Sequence, residues 1–130
     1  MDEKQPIRIL AVDDEPGVLA LVRRCLADQG HVTLIEASSG KEVLEHVAKG
    51  TAFDLLIADL RMPDMEGDEL ARRLRAAGAD VKVLYLTSHA DRLFDAKQQL
   101  WEDEAYLDKP FTQVGLREAI ALLHFGRTTL

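Results

Sequence analysis

Apolar runs of strand length alternate with segments of helical periodicity five times along the chain. The runs Ile7 to Val12, Val32 to Ile35, Leu55 to Ala58, Val81 to Leu86 and Ala105 to Leu107 contain several β-branched residues and predict strands. Three of them are nearly apolar throughout, as strands covered on both faces should be. Between the runs, apolar residues recur at helical spacing: Val18, Leu19, Val22 and Leu26, then Val43, Leu44 and Val47, then Leu70 and Leu74, then Leu93, the apolar stem of Lys97, and Leu100. A fifth helix is predicted over about 112–125, burying Ala119, Ile120 and Leu123, with Gly126 as a left-handed stop.

Strand and helix alternating through short connections imply parallel strands with right-handed crossovers. The expectation is an α/β fold, a (βα)5 doubly wound parallel sheet of flavodoxin-like strand order 2-1-3-4-5. Residues 1–130 read as a single domain with a core of about 7–126 and short flexible termini, the first six residues forming a polar arm. In such sheets ligands collect at the carboxyl ends of the strands, where the order reverses between strands 1 and 3.

Composition narrows the function classes. A chain of 130 residues with 47% hydrophobic content can bury a core without disulfides or a structural metal. Its formal charge of −7 argues against nucleic-acid binding by phosphate attraction and favours a basic or metal-bearing partner. The lone Cys25 sits in an apolar stripe and reads as a core residue. With no leader pattern at the start and no apolar run near 18 residues, neither secretion nor a membrane is indicated, and a cytoplasmic location is the default.

The residues that end each strand concentrate the chemistry. Strand 1 ends in Asp13-Asp14, strand 3 in Asp59, strand 4 in Thr87-Ser88 and strand 5 in Asp108-Lys109-Pro110, while strand 2 ends in Ala37-Ser38. Asp14 and Glu15 before Pro16 could merely begin a helix, and Asp59 or Lys109-Pro110 could each be a turn. Taken together they place three carboxylates at the switch point, where joint ionisation is costly without a cation. An all-oxygen donor set of this kind suits Mg²⁺, which keeps waters and bridges to phosphoryl groups. A carboxylate beside it can attack phosphorus, Lys109 supplies positive charge, and the Thr87 hydroxyl supplies a hydrogen bond.

Four segments carry a family resemblance: Val12-Asp13-Asp14-Glu15-Pro16, Asp59-Leu60-Arg61-Met62-Pro63-Asp64-Met65-Glu66-Gly67, Leu86-Thr87-Ser88, and Tyr106-Leu107-Asp108-Lys109-Pro110-Phe111. In order and spacing they resemble the receiver domain of bacterial two-component response regulators, of the chemotaxis-regulator kind. The resemblance implies that Asp59 is the phosphoacceptor, that Asp13, Asp14, Asp59 and the Arg61 backbone carbonyl hold Mg²⁺, and that Thr87 and Lys109 meet the phosphoryl group. It further implies a cis Lys109-Pro110 bond and a switch that couples Thr87 to Tyr106. The phosphoryl donor would be a sensor histidine kinase or a phosphotransfer protein. The domain is then a regulatory switch rather than an enzyme, catalysing only its own phosphotransfer and slow dephosphorylation.

Inverting a 1:99 population to 99:1 takes about 5.5 kcal/mol, and one hydrogen bond to a charged group contributes about 1.5–3 kcal/mol. Thr87 alone therefore cannot drive the switch. Lys109, loop amides, Mg²⁺ and a downstream protein on the face of the fourth helix, fifth strand and fifth helix are expected to share the coupling.

Arg61 and His89, each two residues past a site residue, are candidates for tuning phosphoryl lifetime by hindering water. Gly115 lies within the fifth predicted helix, where glycine costs about 0.8–1 kcal/mol relative to alanine, and it puts dimer contacts on that face in doubt. A weak homodimer stays open. Trp101 reads as packing, with a partner anchor as the sharper alternative. Arg23, Arg24, Arg72, Arg73 and Arg75 are expected on solvated helix faces, and His31, His46 and His124 share no metal-ligand spacing.

The competing functions are few. A haloacid-dehalogenase-like phosphohydrolase needs an aspartate where this chain has Arg61, and a flavin carrier needs a phosphate-cradling loop where Asp13 to Gly17 is acidic. A non-phosphorylated docking module on the same fold is the remaining alternative.

Overall fold

The computed structural model describes residues 5–88, 103–127, 129 and 130. Its strands are β1 (Ile7–Val12), β2 (Val32–Ala37), β3 (Leu55–Asp59), β4 (Lys82–Thr87) and β5 (Glu104–Asp108), and its helices are α1 (Pro16–Leu26), α2 (Gly40–Ala48), α3 (Gly67–Ala76) and α4 (Gln113–Phe125). All five strands pair in parallel in the order β2-β1-β3-β4-β5. This is the flavodoxin-like sheet that the alternating pattern predicts. The helix predicted around Leu93, Lys97 and Leu100, along with His89 and Trp101, lies outside the described residues.

The apolar strands alternate between two cores. Ile7, Ile9 and Ala11 of β1, Leu55 and Ile57 of β3, and Leu84 and Leu86 of β4 join the core that includes Val22 and Cys25 of α1 and Leu116 and Ile120 of α4. The intervening residues Leu10, Val12, Leu56, Ala58, Val83 and Tyr85 join the opposite core with Val43 of α2 and Leu70 and Leu74 of α3. A period of two with both phases apolar is what a sheet covered on both faces requires.

Local signals set the helix ends. Pro16 occupies the first turn of α1, where its missing N–H costs nothing. Ser39 caps α2 by accepting the Glu42 N–H, Thr112 caps α4 by accepting the Gly115 N–H, and Gly126 ends α4 in the left-handed region at φ 71°.

Several expectations need correction. The buried stripe of the last helix is Leu116, Ile120 and Ala121, with Ala119 and Leu123 only partly covered, because α4 packs on both the sheet and α1. Gly115 sits in the first turn of α4 rather than its interior, against the capping Thr112 hydroxyl, so the interior glycine cost does not apply. The short C-terminal arm ends in Leu130, which is 4% exposed and packed against the α1–α4 core. Arg75 is not on a solvated face: its side chain is 14% exposed and pairs with Asp103 and Glu104, where the start of β5 covers the end of α3.

Candidate functional site

Parallel register builds the site. Val12 pairs with Ala58, so the next residue on each strand, Asp13 and Asp59, comes side by side at the switch point. Asp59 pairs with Leu86, which sets Thr87 one step beyond it, and Thr87 in turn pairs with Asp108. The Lys109 N–H donates to the Thr87 carbonyl at 3.0 Å, fixing where the lysine leaves the sheet. The Lys109-Pro110 peptide is cis, as expected.

One ligand atom from each of Asp13, Asp14 and Asp59 falls within 4.8 Å of the others. Asp13 and Asp59 are buried and Asp14 is exposed. Lys109 Nζ lies 3.0 Å from Asp13 Oδ2 and 3.5 Å from Asp59 Oδ1. The second Asp13 oxygen accepts the Glu15 N–H at 2.9 Å, and Asp59 Oδ1 accepts the Arg61 N–H at 3.4 Å.

Electrostatics follow from this crowding. Burial pushes the Asp13 carboxyl above its ordinary range, opposed by the Glu15 N–H and by Lys109. Asp59 is also pushed up, by burial first and then by the Asp13 charge. For Lys109, burial pulls downward, but the hydrogen bond to Asp13 and the charges of Asp13, Asp59 and Glu15 outweigh it and hold the ammonium above its ordinary value. One ammonium shared by buried acids leaves the pocket short of positive charge, a condition that a hard divalent cation relieves. The donor set, carboxylate oxygens only, fits such an ion.

A cavity of about 160 Å³ opens here, lined by Asp14, Glu15, Asp59, Arg61, Thr87, Ser88 and Lys109. The structure thus gathers Asp13, Asp14, Asp59, Arg61, Thr87 and Lys109. Tyr106 stands apart: 39% exposed, it borders a separate groove between β5 and α4. The pocket floor depends on close backbone approach, since a Cβ on Gly67 would lie 2.5 Å from the Asp59 carbonyl oxygen. Glycine at this position lets α3 start directly behind the end of β3.

Two features escaped sequence reasoning. Buried Glu104 accepts hydrogen bonds from the Tyr85 hydroxyl at 2.9 Å and from Arg75 at 2.9 Å, and burial with the Glu104 charge pushes the tyrosine hydroxyl up. The Asp64 carboxylate accepts N–H groups from Gly40 and Lys41, 24 and 23 residues away. Neither has a local signal, because each partner comes from a different element.

Fold and strand-end pocket together define the flavodoxin-like receiver class of signalling domain. A family model for the response regulator receiver domain matches residues 9–121, and the chain belongs to that family. It is 39% identical over 108 residues to the response regulator MprA of Mycobacterium leprae, covering 81% of this chain and 45% of that protein. It is 33% identical over 105 residues to the sensor kinase CckA of Brucella abortus, covering 80% of this chain and 11% of the kinase. The chain thus spans less than half the length of either relative. Among solved structures, the response regulator TrrA of Thermotoga maritima, in complex with Mg²⁺ and BeF, is 31% identical with a TM-score of 0.75, covering 90% of this chain and 98% of that one. Receiver domains are regulatory modules that work with sensor kinases or phosphotransfer proteins. No helix among the described residues is long and apolar enough to cross a membrane.

Proposed function

We propose that this chain is a phosphorylation switch: it takes a phosphoryl group from the phosphohistidine of a sensor kinase or phosphotransfer protein onto Asp59. The observation that carries the reading is the convergence of Asp13, Asp14 and Asp59 within 4.8 Å beside Lys109. In the transfer the histidine N–P bond breaks and an Asp59 Oδ–P bond forms. Asp13, Asp14, Asp59 and the Arg61 carbonyl would hold Mg²⁺, which when bound offsets carboxylate repulsion and draws charge from the phosphoryl oxygens. The Lys109 ammonium neutralises phosphoryl charge, and the Thr87 hydroxyl donates a hydrogen bond to it.

Phosphorylation would then draw Thr87 toward the pocket and free space for the Tyr106 ring, whose exposed position suits the resting state. The change would be read by an unidentified downstream protein on the face that includes β5 and α4. The domain, taken as residues 1–130 with Leu130 in its core, acts as a cytoplasmic switch without binding nucleic acid itself. The TrrA complex with Mg²⁺ and BeF supports the cation by analogy, and the length of the curated relatives fits a receiver that also occurs within longer proteins.

Incubation with Mg²⁺ and acetyl phosphate, followed by intact mass measurement, tests the proposal. Wild type should gain one phosphoryl mass and Asp59→Asn none. An unmodified wild type, or an equally modified mutant, would overturn it and favour a docking module that works without phosphorylation.

A further inference from the structure

The loop at 60–66, between β3 and α3, forms one wall of the pocket and is attached by different means at its two ends. At the pocket end the backbone holds it: the Leu60 N–H donates to the Leu86 carbonyl at 3.2 Å and the Gly67 N–H to the Leu60 carbonyl at 2.8 Å. At the far end a side chain holds it. The Asp64 carboxylate accepts the Lys41 N–H at 2.8 Å and the Gly40 N–H at 3.3 Å. Those N–H groups belong to the first turn of α2, which has no partner for them inside the helix and whose dipole favours an anion. Burial pushes Asp64 up, yet the backbone N–H groups of Lys41, Gly40, Asp64 and Met65 together outweigh it and keep the carboxyl below its usual range.

Helix and loop also touch more closely than side chains ordinarily permit. A Cβ on Gly40 would stand 2.5 Å from Met65 Cγ and 2.7 Å from its sulfur. Met62 is buried as well, but unbranched methionine side chains rotate about three bonds and locate a backbone loosely. Two directional hydrogen bonds to a carboxylate locate it tightly. Arg61, exposed, lies on the stretch between the strand end and this latch.

We propose that Asp64 is a positioning residue for the cation half of the site: by latching the loop to the first turn of α2, it sets where the Arg61 backbone carbonyl stands relative to Asp13, Asp14 and Asp59. The inference rests on the phosphoacceptor reading. It also gives a role to the edge of the sheet, since β2, the strand whose end lacks site chemistry, leads through Ser38 and Ser39 into the helix that takes the latch.

Calorimetric titration with Mg²⁺ of wild type, Asp64→Ala and Asp64→Asn, beside thermal melts of each, tests the assignment without any turnover. Asp64→Ala should raise the Mg²⁺ Kd about tenfold, the lower end of what losing an outer-shell support costs a metal site. Asp64→Asn, whose single amide oxygen can accept only one of the two N–H groups that Asp64 Oδ1 and Oδ2 accept, should weaken binding less, by about threefold on the same scale. An unchanged Kd for Asp64→Ala with a lowered melting temperature would reduce Asp64 to a helix cap and overturn the proposal. Equal weakening in both variants that high salt abolishes would assign the effect to charge alone and also overturn it. Wild type that binds no Mg²⁺ would instead defeat the underlying phosphoacceptor reading, and this inference with it. Should Asp64→Ala fail to fold, Asp64→Ser, too short to reach both N–H groups, carries the same expected loss.

Discussion

The Lys109 ammonium lies 3.0 Å from Asp13 Oδ2, joining the ends of two strands that are 96 residues apart in the chain. The same nitrogen is 3.5 Å from Asp59 Oδ1, so a single cation offsets two buried carboxylates. In the proposed mechanism that cation has opposed effects. It pairs with the incoming phosphoryl group, and it repels a divalent ion held by the same acids.

Lys109→Met should therefore tighten Mg²⁺ binding while impairing phosphoryl transfer. An ammonium within a few ångström contributes on the order of 1 kcal/mol at high effective dielectric, so the Mg²⁺ Kd should fall by several-fold. Calorimetry reads the first effect, and the acetyl phosphate reaction followed by mass reads the second. Weaker Mg²⁺ binding in the variant would show that the lysine organises the carboxylates rather than competing for them.

Arg61 lines the cavity beside Asp59 and is exposed, a placement that suits control of water access. Arg61→Ala should speed dephosphorylation a few-fold, equivalent to about 0.5–1 kcal/mol of barrier. His89→Ala is expected to act in the same direction. The decay of the phosphorylated species by mass after removal of the donor measures both, and unchanged decay rates would leave these residues without that role.

Arg75 and Glu104 carry a stability prediction. The Glu104 side chain is 0% exposed and Arg75 14%, at 2.9 Å, so removing the guanidinium uncovers a charge that the core solvates poorly. Arg75→Met should cost about 3 kcal/mol, and adding Glu104→Met should recover much of it. Tyr85→Phe should cost about 1 kcal/mol through loss of the hydroxyl bond to Glu104. Urea denaturation midpoints give all three values. A double mutant no more stable than Arg75→Met would mean that packing, not charge compensation, governs the site.

Acid sensitivity has a defined sign at the opposite end of the sheet. Asp54 accepts hydrogen bonds from the Arg8 side chain and backbone N–H. The Arg8 side-chain bond holds Asp54 below its ordinary 3.8, against the upward push of burial. A carboxyl lowered in the folded state stabilises it above the unfolded value, and that stability is lost as pH falls through the folded value. The melting temperature of wild type should exceed that of Asp54→Asn by a constant margin above about pH 5, closing below 3.8. Calorimetric melts from pH 6 to 2.5 test this, and a gap that widened on acidification would reverse the assignment.

Asp13, Asp59, Thr87 and Lys109 lie together because a parallel sheet turns sequence position into spatial position. Once the apolar runs are recognised, the residue that follows each run is on the ligand-bearing edge. The inner strands β1, β3 and β4 were legible for the same reason, since burial on both faces leaves runs with few polar breaks, while the edge strands β2 and β5 are only partly covered. Among the described helices, Val22 and Leu26 of α1, Val43 of α2, and Leu70 and Leu74 of α3 fall on the buried stripes as predicted, whereas in the last helix contact with both the sheet and α1 turns the buried face toward Leu116 and Ala121.

By itself, then, the sequence determined the order of the described elements, the strand-end chemistry and the Gly126 stop, all of which depend on residues near one another in the chain or on a fixed period. Only the tertiary structure decided that Arg75 is enclosed, that Asp64 ties its loop to α2, that Gly67 lets α3 approach Asp59, and that Leu130 is buried. Each of these depends on which surface of another element comes to cover the residue. A helical period specifies the face a side chain occupies on its own helix, but not what a distant segment later places against it.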